Sequence, residues 1–325
     1  MRKIKIPHTE LEVSQLCLGC MDLAGKWENV SITPQHEAEV RAFLDAAGEL
    51  GVNFFDHANI YAHGRAEEVF GRVMRERPSL RDGIVLQSKA GIRWTDEPPG
   101  TPMRYDFSRE HLLEAVEGSL RRLGTDHLDI LLLHRPDPLW QPEEIARAFE
   151  ALKRGGKVRY FGVSNQNRFQ MAHLQRHLPD PLVVNQLEMN LLHHGFAEAH
   201  ICFNQRSAMY PDGWEGVLEY CQEQGVLLQA WRPLAKGLLS GASLAGQPEP
   251  VVVTAQLVAE LADRHGVSRE AVVLAWLLRH PSGIQPVLGT IRPTRLKACA
   301  QALEVQLSRV EWYQLFAAAR GERMP

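Results

Sequence analysis

Four side chains in the first half of the chain have the types needed for proton-coupled chemistry: Asp56, Tyr61, Lys89 and His134. A phenol is a weak acid with a pKa of about 10, and a neighbouring ammonium favours its phenolate and makes it a better proton donor. Asp56 would hold that ammonium in place, and His134 would orient a carbonyl group or the phenol. The set suits carbonyl reduction, in which hydride reaches carbon while a proton reaches the oxygen where charge develops. The expectation is that the ammonium outweighs burial, leaving Tyr61 protonated but more acidic than free tyrosine. Taken singly, each residue has an ordinary explanation: a strand-end Asp often caps a helix, and a loop Tyr usually packs. Only the joint pattern points to chemistry.

Something must bring these residues together. Apolar runs at residues 16–18, 52–55, 84–87, 128–133, 160–163, 182–187, 226–230 and 284–288 read as eight strands. Amphipathic stretches separate them. Residues 37–50 place Val40, Phe43, Leu44, Ala47 and Leu50 on one helical face before Gly51, and Ser108 reads as the N-cap of a helix running to Leu123. Eight strands alternating with helices imply parallel βαβ units in an α/β fold. Two features favour a single (β/α)8 TIM barrel over a doubly wound sheet. No Gly-x-Gly-x-x-Gly follows the first strand, and Asp56, Lys89, His134, Ser164 and Trp231 fall at C-terminal strand ends, which converge on one mouth in a barrel. Residues 4–6 and 11–13, across Pro7-His8-Thr9-Glu10, read as an N-terminal β-hairpin capping the barrel floor. Residues 309–320 form an extra C-terminal helix, and no linker divides residues 1–325, which read as one domain.

With 36 basic and 39 acidic residues, the formal net charge of −3 gives no basic excess for nucleic acid or an anionic membrane. No apolar run reaches membrane-spanning length. The five cysteines are scattered; Cys17 and Cys20 have redox spacing but sit in an apolar run, where cysteine behaves as a small hydrophobe. The N-terminus lacks the apolar region of a signal peptide, and a reducing cytoplasm is the expected location. The pattern carries no oligomeric signature.

The segment Phe54-Phe55-Asp56-His57-Ala58-Asn59-Ile60-Tyr61, followed by Gly64 and Glu67-Glu68-Val69-Phe70-Gly71, resembles the aldo-keto reductase signature. Ser88-Lys89, residues 128–134 and Gly162-Val163-Ser164-Asn165 resemble that family's lysine, histidine and carboxamide-binding strands, and the likeness runs from about Gly19 to Arg295. With His134-Arg135-Pro136-Asp137-Pro138 the chain looks most similar to a bacterial branch of generic reductases. The resemblance implies a catalytic set of Asp56, Tyr61, Lys89 and His134, with NADP(H) as cofactor and a small carbonyl compound as substrate. It implies that Gly19, Cys20, Met21 and Asp56 lie along the cofactor, and that Ser164, Asn165 and Gln186 hold the nicotinamide carboxamide. Trp231 would stack on the nicotinamide; Arg232, Leu234 and Lys236 would wrap the pyrophosphate. Gly289, Thr290, Arg292 and Arg295 would form the 2′-phosphate site, where a helix start carrying Arg and Thr is physically suited to phosphate.

This chain departs from the family at His57 (usually Thr), Arg232 (commonly Ser), and Ala298 and Cys299, where many relatives carry Glu and Asn against the adenine. His193, His194, His200 and Cys202 cluster without the spacing of a known metal site, and no metal is expected. Residues 193–213 could form a lid over the mouth; Arg93, Trp94 and Arg104 could face substrate, and Arg121-Arg122 reads as a solvated helix face. Two other functions compete: an NADP(H)-binding regulatory subunit with little turnover, which would not need all four catalytic side chains, and a metal-dependent hydrolase, for which the mouth lacks ligands.

Overall fold

The computed structural model describes residues 1–25, 27, 31–202 and 213–325. Its centre is a closed barrel of eight parallel strands: β3 (Cys17–Gly19), β4 (Phe54–Asp56), β5 (Val85–Ala90), β8 (Leu128–Leu133), β9 (Val158–Ser164), β10 (Val184–Glu188), β11 (Leu227–Trp231) and β12 (Gln285–Leu288). The strands neighbour one another in chain order, and β12 pairs with β3 to close the ring. Two short antiparallel pairs complete the sheets: β1 (Lys3–Lys5) with β2 (Glu12–Ser14), and β6 (Ile92–Arg93) with β7 (Arg104–Tyr105).

Helices α1 (Pro34–Leu50), α2 (Arg65–Arg75), α4 (Arg109–Leu123), α5 (Pro142–Arg154), α6 (Arg168–Gln175), α8 (Val217–Gln224), α10 (Arg269–Leu278) and α11 (Pro293–Ala300) surround the ring. Added to these are α3 (Leu80–Gly83), α7 (Gly195–Ile201), α9 (Glu249–His265) and the C-terminal α12 (Arg309–Arg320). Local chemistry sets their ends. Thr33, Ser108, Asn167, Ser268 and Ser308 cap helix N-termini with side-chain oxygens, and Gly51, Gly124, Gly225 and Gly266 close C-termini in the left-handed region. Gly71 lets α2 approach α4 closely: a Cβ there would meet the Arg122 carbonyl oxygen at 2.2 Å. Beside this contact the fully buried Glu67 accepts from Ser88 Oγ and Arg122 Nε, tying α2 to β5 and α4. Arg122 is therefore an inter-helix bridge and not the solvated cation expected; Arg121 is exposed.

The core has two layers. One lies between barrel and helices. The other fills the barrel floor, where Ile6, Leu11 and Val13 of the hairpin pack on Cys17, Phe54, Val85, Ile130, Val184 and Val287. The hairpin cap is thus present. Among the described residues no helix is long and apolar enough to cross a membrane.

Candidate active site

Lys89, one residue before the end of β5, is 1 % exposed. A buried ammonium has three N–H groups to satisfy, and all three are used. Nζ donates to Asp56 Oδ2 at 2.7 Å, to the His57 carbonyl at 2.9 Å and to the Tyr61 hydroxyl at 2.9 Å. Asp56 ends the neighbouring strand β4, so strand spacing alone puts the ion pair within reach. Tyr61 reaches the same point from a tight turn in which Ala62, His63 and Gly64 all have positive φ (48°, 56° and 86°). Two non-glycine residues held there store backbone strain, the kind of cost that clusters at functional sites.

His134 follows β8, and its ring lies edge-on to Tyr61 with centroids 5.9 Å apart. The expected quartet is therefore brought together. Burial, helped by the charges of Lys89 and Arg135, holds the His134 imidazole well below its usual pKa, so the ring is neutral. The expectation for Tyr61 fails in sign: burial raises its pKa, and Lys89 lowers it by less. The reason is the ion pair. Asp56 opposes the ammonium from 2.7 Å away, leaving too little net field to offset desolvation. Burial is also the largest effect on Lys89 and lowers its pKa, but Asp56 and Tyr61 together outweigh it, and the ammonium is held above its usual value.

Ser164 ends β9 and Asn165 follows it. Asn165 Nδ2 donates to the His134 carbonyl and to Ser164 Oγ, and Asn165 Oδ1 accepts from Trp231 Nε1 at 3.1 Å. Trp231, at the end of β11, is half-buried at the mouth. The guanidinium groups of Arg135 and Arg232 lie 5.4 and 5.0 Å from its ring. Gln186 donates to Asp56 Oδ1 and to Gln229. After Trp231 the backbone takes positive φ at Arg232, Ala235, Lys236 and Gly237, a loop closed on itself by the Ala235 and Gly237 amides, which donate to the Arg232 and Leu234 carbonyls. Leu234 is half-buried within it. Arg295, on α11, leans over this loop: its Nη2 is 3.4 Å from Ser240 Oγ and 3.3 Å from Glu270 Oε1. Arg292, the N-cap of α11, is exposed, and Thr290 Oγ1 accepts from its amide. Among the described residues nothing stands within 4 Å of where a Gly289 Cβ would lie, whereas Gly19 abuts the Leu288 carbonyl. Met21 is exposed, but the Cys20 thiol is fully buried, as is Cys299.

Other expectations fare differently. Burial raises both Cys17 and Cys20, which fits inert buried thiols. His194 bonds the Leu191 carbonyl and, like Cys202, meets Glu198, while His200 turns to Glu219, so the cluster is split between two carboxylates. No group able to hold a metal occurs among the described residues. Of the expected lid, α7 is present, and residues 203–212 lie outside the described residues. Trp94 stacks on His63 and meets Trp27, which is edge-on to Tyr61; Arg93 is tied to Asp106 and Arg104 to Thr101. Sequence reasoning passed over Gln87, Gln229 and Gln285. Their signal was present: a Gln inside an apolar strand needs a buried partner.

Comparison with known proteins agrees with this architecture. A 6-dehydroglucose reductase of Agrobacterium fabrum is 35% identical over 320 residues, 97% of each chain. The Bacillus subtilis oxidoreductase YcsN is 35% identical over 291 residues, 89% of this chain and 91% of its own. The crystal structure of the thermostable aldo-keto reductase Tm1743 superposes with a TM-score of 0.75 at 26% identity, covering 98% of this chain and all of that one. The model of the Aldo/keto reductase family matches residues 15–319, and the chain belongs to that family of oxidoreductases.

Proposed function

We propose that this enzyme reduces the aldehyde or ketone group of a small molecule to an alcohol with NADPH, and that Tyr61 delivers the proton. The observation that carries the reading is the saturated Lys89 ammonium, bonded at once to Asp56, the His57 carbonyl and the Tyr61 hydroxyl. A lysine buried so completely, beside a phenol facing a barrel mouth, is an expensive arrangement for packing alone.

The mouth also fits a dinucleotide phosphate. Gly237, whose φ of 85° disfavours a side chain, stands where a Cβ would lie 3.8 Å from Arg295 Nη2, an ordinary contact that makes the loop and the α11 cation neighbours. Arg232, Lys236, Arg292 and Arg295 would hold the phosphates; Ser164, Asn165 and Gln186 would hold the carboxamide, with Trp231 against the ring. When bound, the cofactor supplies the hydride for the carbonyl carbon. His134, neutral, orients the carbonyl oxygen. Tyr61 holds its proton at that oxygen and releases it as negative charge develops there, while Lys89 stabilises the phenolate left behind.

The test is oxidation of NADPH by the purified protein against aldehydes, ketones and quinones, repeated with Tyr61→Phe. The variant should bind NADPH normally and lose about 10²-fold or more in turnover of the best substrate. A rate near wild type would move the proton to another acid, with His134 first in line.

A further inference from the structure

The barrel interior carries a chain of side-chain amides that proton transfer does not itself require. Gln285 Nε2 donates to the Ser14 carbonyl at 2.7 Å, and Gln229 Nε2 donates to Gln285 Oε1 at 2.9 Å. Gln229 Oε1 in turn accepts from the Nε2 atoms of both Gln87 and Gln186, each at 2.9 Å. Those same two nitrogens donate to Asp56 Oδ1, at 2.6 and 3.1 Å. The four glutamines are at most 2 % exposed. Register places Gln186, Gln229 and Gln285 side by side on β10, β11 and β12, and Gln87 beside Asp56 on β5 and β4.

The direction of this chain is fixed by its ends. A backbone carbonyl and a carboxylate oxygen can only accept. Starting from Ser14, Gln285 must point its nitrogen down, which leaves an oxygen for Gln229. Gln229 must then turn its own oxygen toward Gln87 and Gln186. No amide in the series can flip without burying a donor against a donor or an acceptor against an acceptor, at a cost that buried polar groups rarely bear. The consequence falls on Gln186. Both of its N–H groups are taken, by Asp56 and Gln229, so its amide oxygen is the atom left for a ligand.

We propose that Gln229 is a positioning residue: anchored through Gln285 to the hairpin at the barrel floor, it locks Gln186 with its amide oxygen presented to the carboxamide of the cofactor. This rests on the cofactor reading above. The carboxamide N–H is a donor, and a locked acceptor meets it without the loss of rotamer freedom that a mobile Gln would suffer on binding.

The test separates the nicotinamide end of the ligand from its phosphate end. Affinities of NADP+ and of 2′-phospho-ADP-ribose, which lacks nicotinamide, are measured by calorimetry for wild type, Gln229→Leu, Gln229→Glu and Gln285→Leu. Gln229→Leu should weaken NADP+ by about tenfold, the scale of one lost hydrogen bond, with 2′-phospho-ADP-ribose changed less than about twofold. Gln229→Glu, as the neutral acid, still offers an acceptor to both amides and an O–H to Gln285, and should restore NADP+ affinity. Gln285→Leu leaves the Gln229 nitrogen unpartnered and should act in the same direction, which keeps the test open if Gln229→Leu fails to fold. Equal weakening of both ligands would mean a purely structural role and overturn the proposal, as would no change in either. Absence of any nicotinamide advantage in the wild type would instead overturn the cofactor reading itself.

Discussion

Replacing Lys89 with Met removes the charge on which the proposed proton transfer depends, and the structure sets the size of the effect. The ammonium lies 2.9 Å from the Tyr61 oxygen and 2.7 Å from Asp56. At an effective dielectric of about 20, its attraction for a phenolate at that distance is about 6 kcal/mol. The two contacts place the carboxylate within about 5.6 Å of the phenol oxygen, so its repulsion is at least about 3 kcal/mol. The net stabilisation of the phenolate is then at most about 3 kcal/mol, or about two pKa units. In Lys89→Met the attraction disappears, and the whole net term goes with it. Reduction at pH 7 should fall by about 10- to 100-fold, and the rise of alcohol oxidation with pH should move up by about two units. Because the Tyr61 pKa is raised by burial, reduction by the wild type should stay flat from neutral pH through the usual tyrosine range, falling only above it. The assay is steady-state kinetics in both directions from pH 6 upward, with circular dichroism beside it, since breaking a buried pair costs about 3–5 kcal/mol of stability. A wild-type reduction limb near pH 8, or a Lys89→Met rate within about threefold of wild type in a folded protein, would refute the electrostatic argument.

Arg295→Ala should cut the preference for NADPH over NADH by about tenfold or more, one charge-assisted bond's worth, with NADH affinity little changed; fluorescence titration with both cofactors checks it. Trp231→Ala should weaken NADPH binding and remove part of the protein-fluorescence quench that NADPH causes; an unaltered quench would place the ring away from the nicotinamide. Acid should destabilise the fold through His57, whose ring nitrogens have no hydrogen-bond partner among the described residues and whose pKa burial depresses to about 3. A depressed histidine contributes stability above its unfolded pKa of about 6.5 and loses it as pH falls, by about 2 kcal/mol at pH 5. Urea denaturation at pH 7 and pH 5 should therefore differ less in His57→Leu than in wild type.

The eight-strand alternation was legible because both periodicities are strong, and the strand Leu128–Leu133 and the helix Arg309–Arg320 fall where the pattern put them. Boundaries slipped where a side chain has business outside its element. The second barrel strand begins at Phe54 and not at residue 52, because Asn53 is drawn to the floor hairpin, bonding the Ser14 amide and the Glu12 carbonyl. The third ends at Ala90, one residue past the Lys89 expected at its end, with Ser88 and Lys89 both finding buried partners. The quartet was readable from residue type and strand-end position. The sign of the Tyr61 shift was not, because it turns on how fully Asp56 cancels Lys89 and how completely the phenol is buried, both set by three-dimensional distances. The amide chain was likewise hidden: its members are 142 residues apart between Gln87 and Gln229, and no local pattern couples them.

The floor hairpin has a consequence for how the chain is made. Gln285 reaches back 271 residues to bond Ser14. Ile6, Leu11 and Val13 therefore leave the ribosome long before the strand that completes their seat, β12. Throughout translation these apolar side chains have no finished surface to cover. Such long-range closure is slow and exposes the nascent chain to aggregation. A hairpin that seals the finished barrel is, until β12 follows it, an apolar segment without its seat.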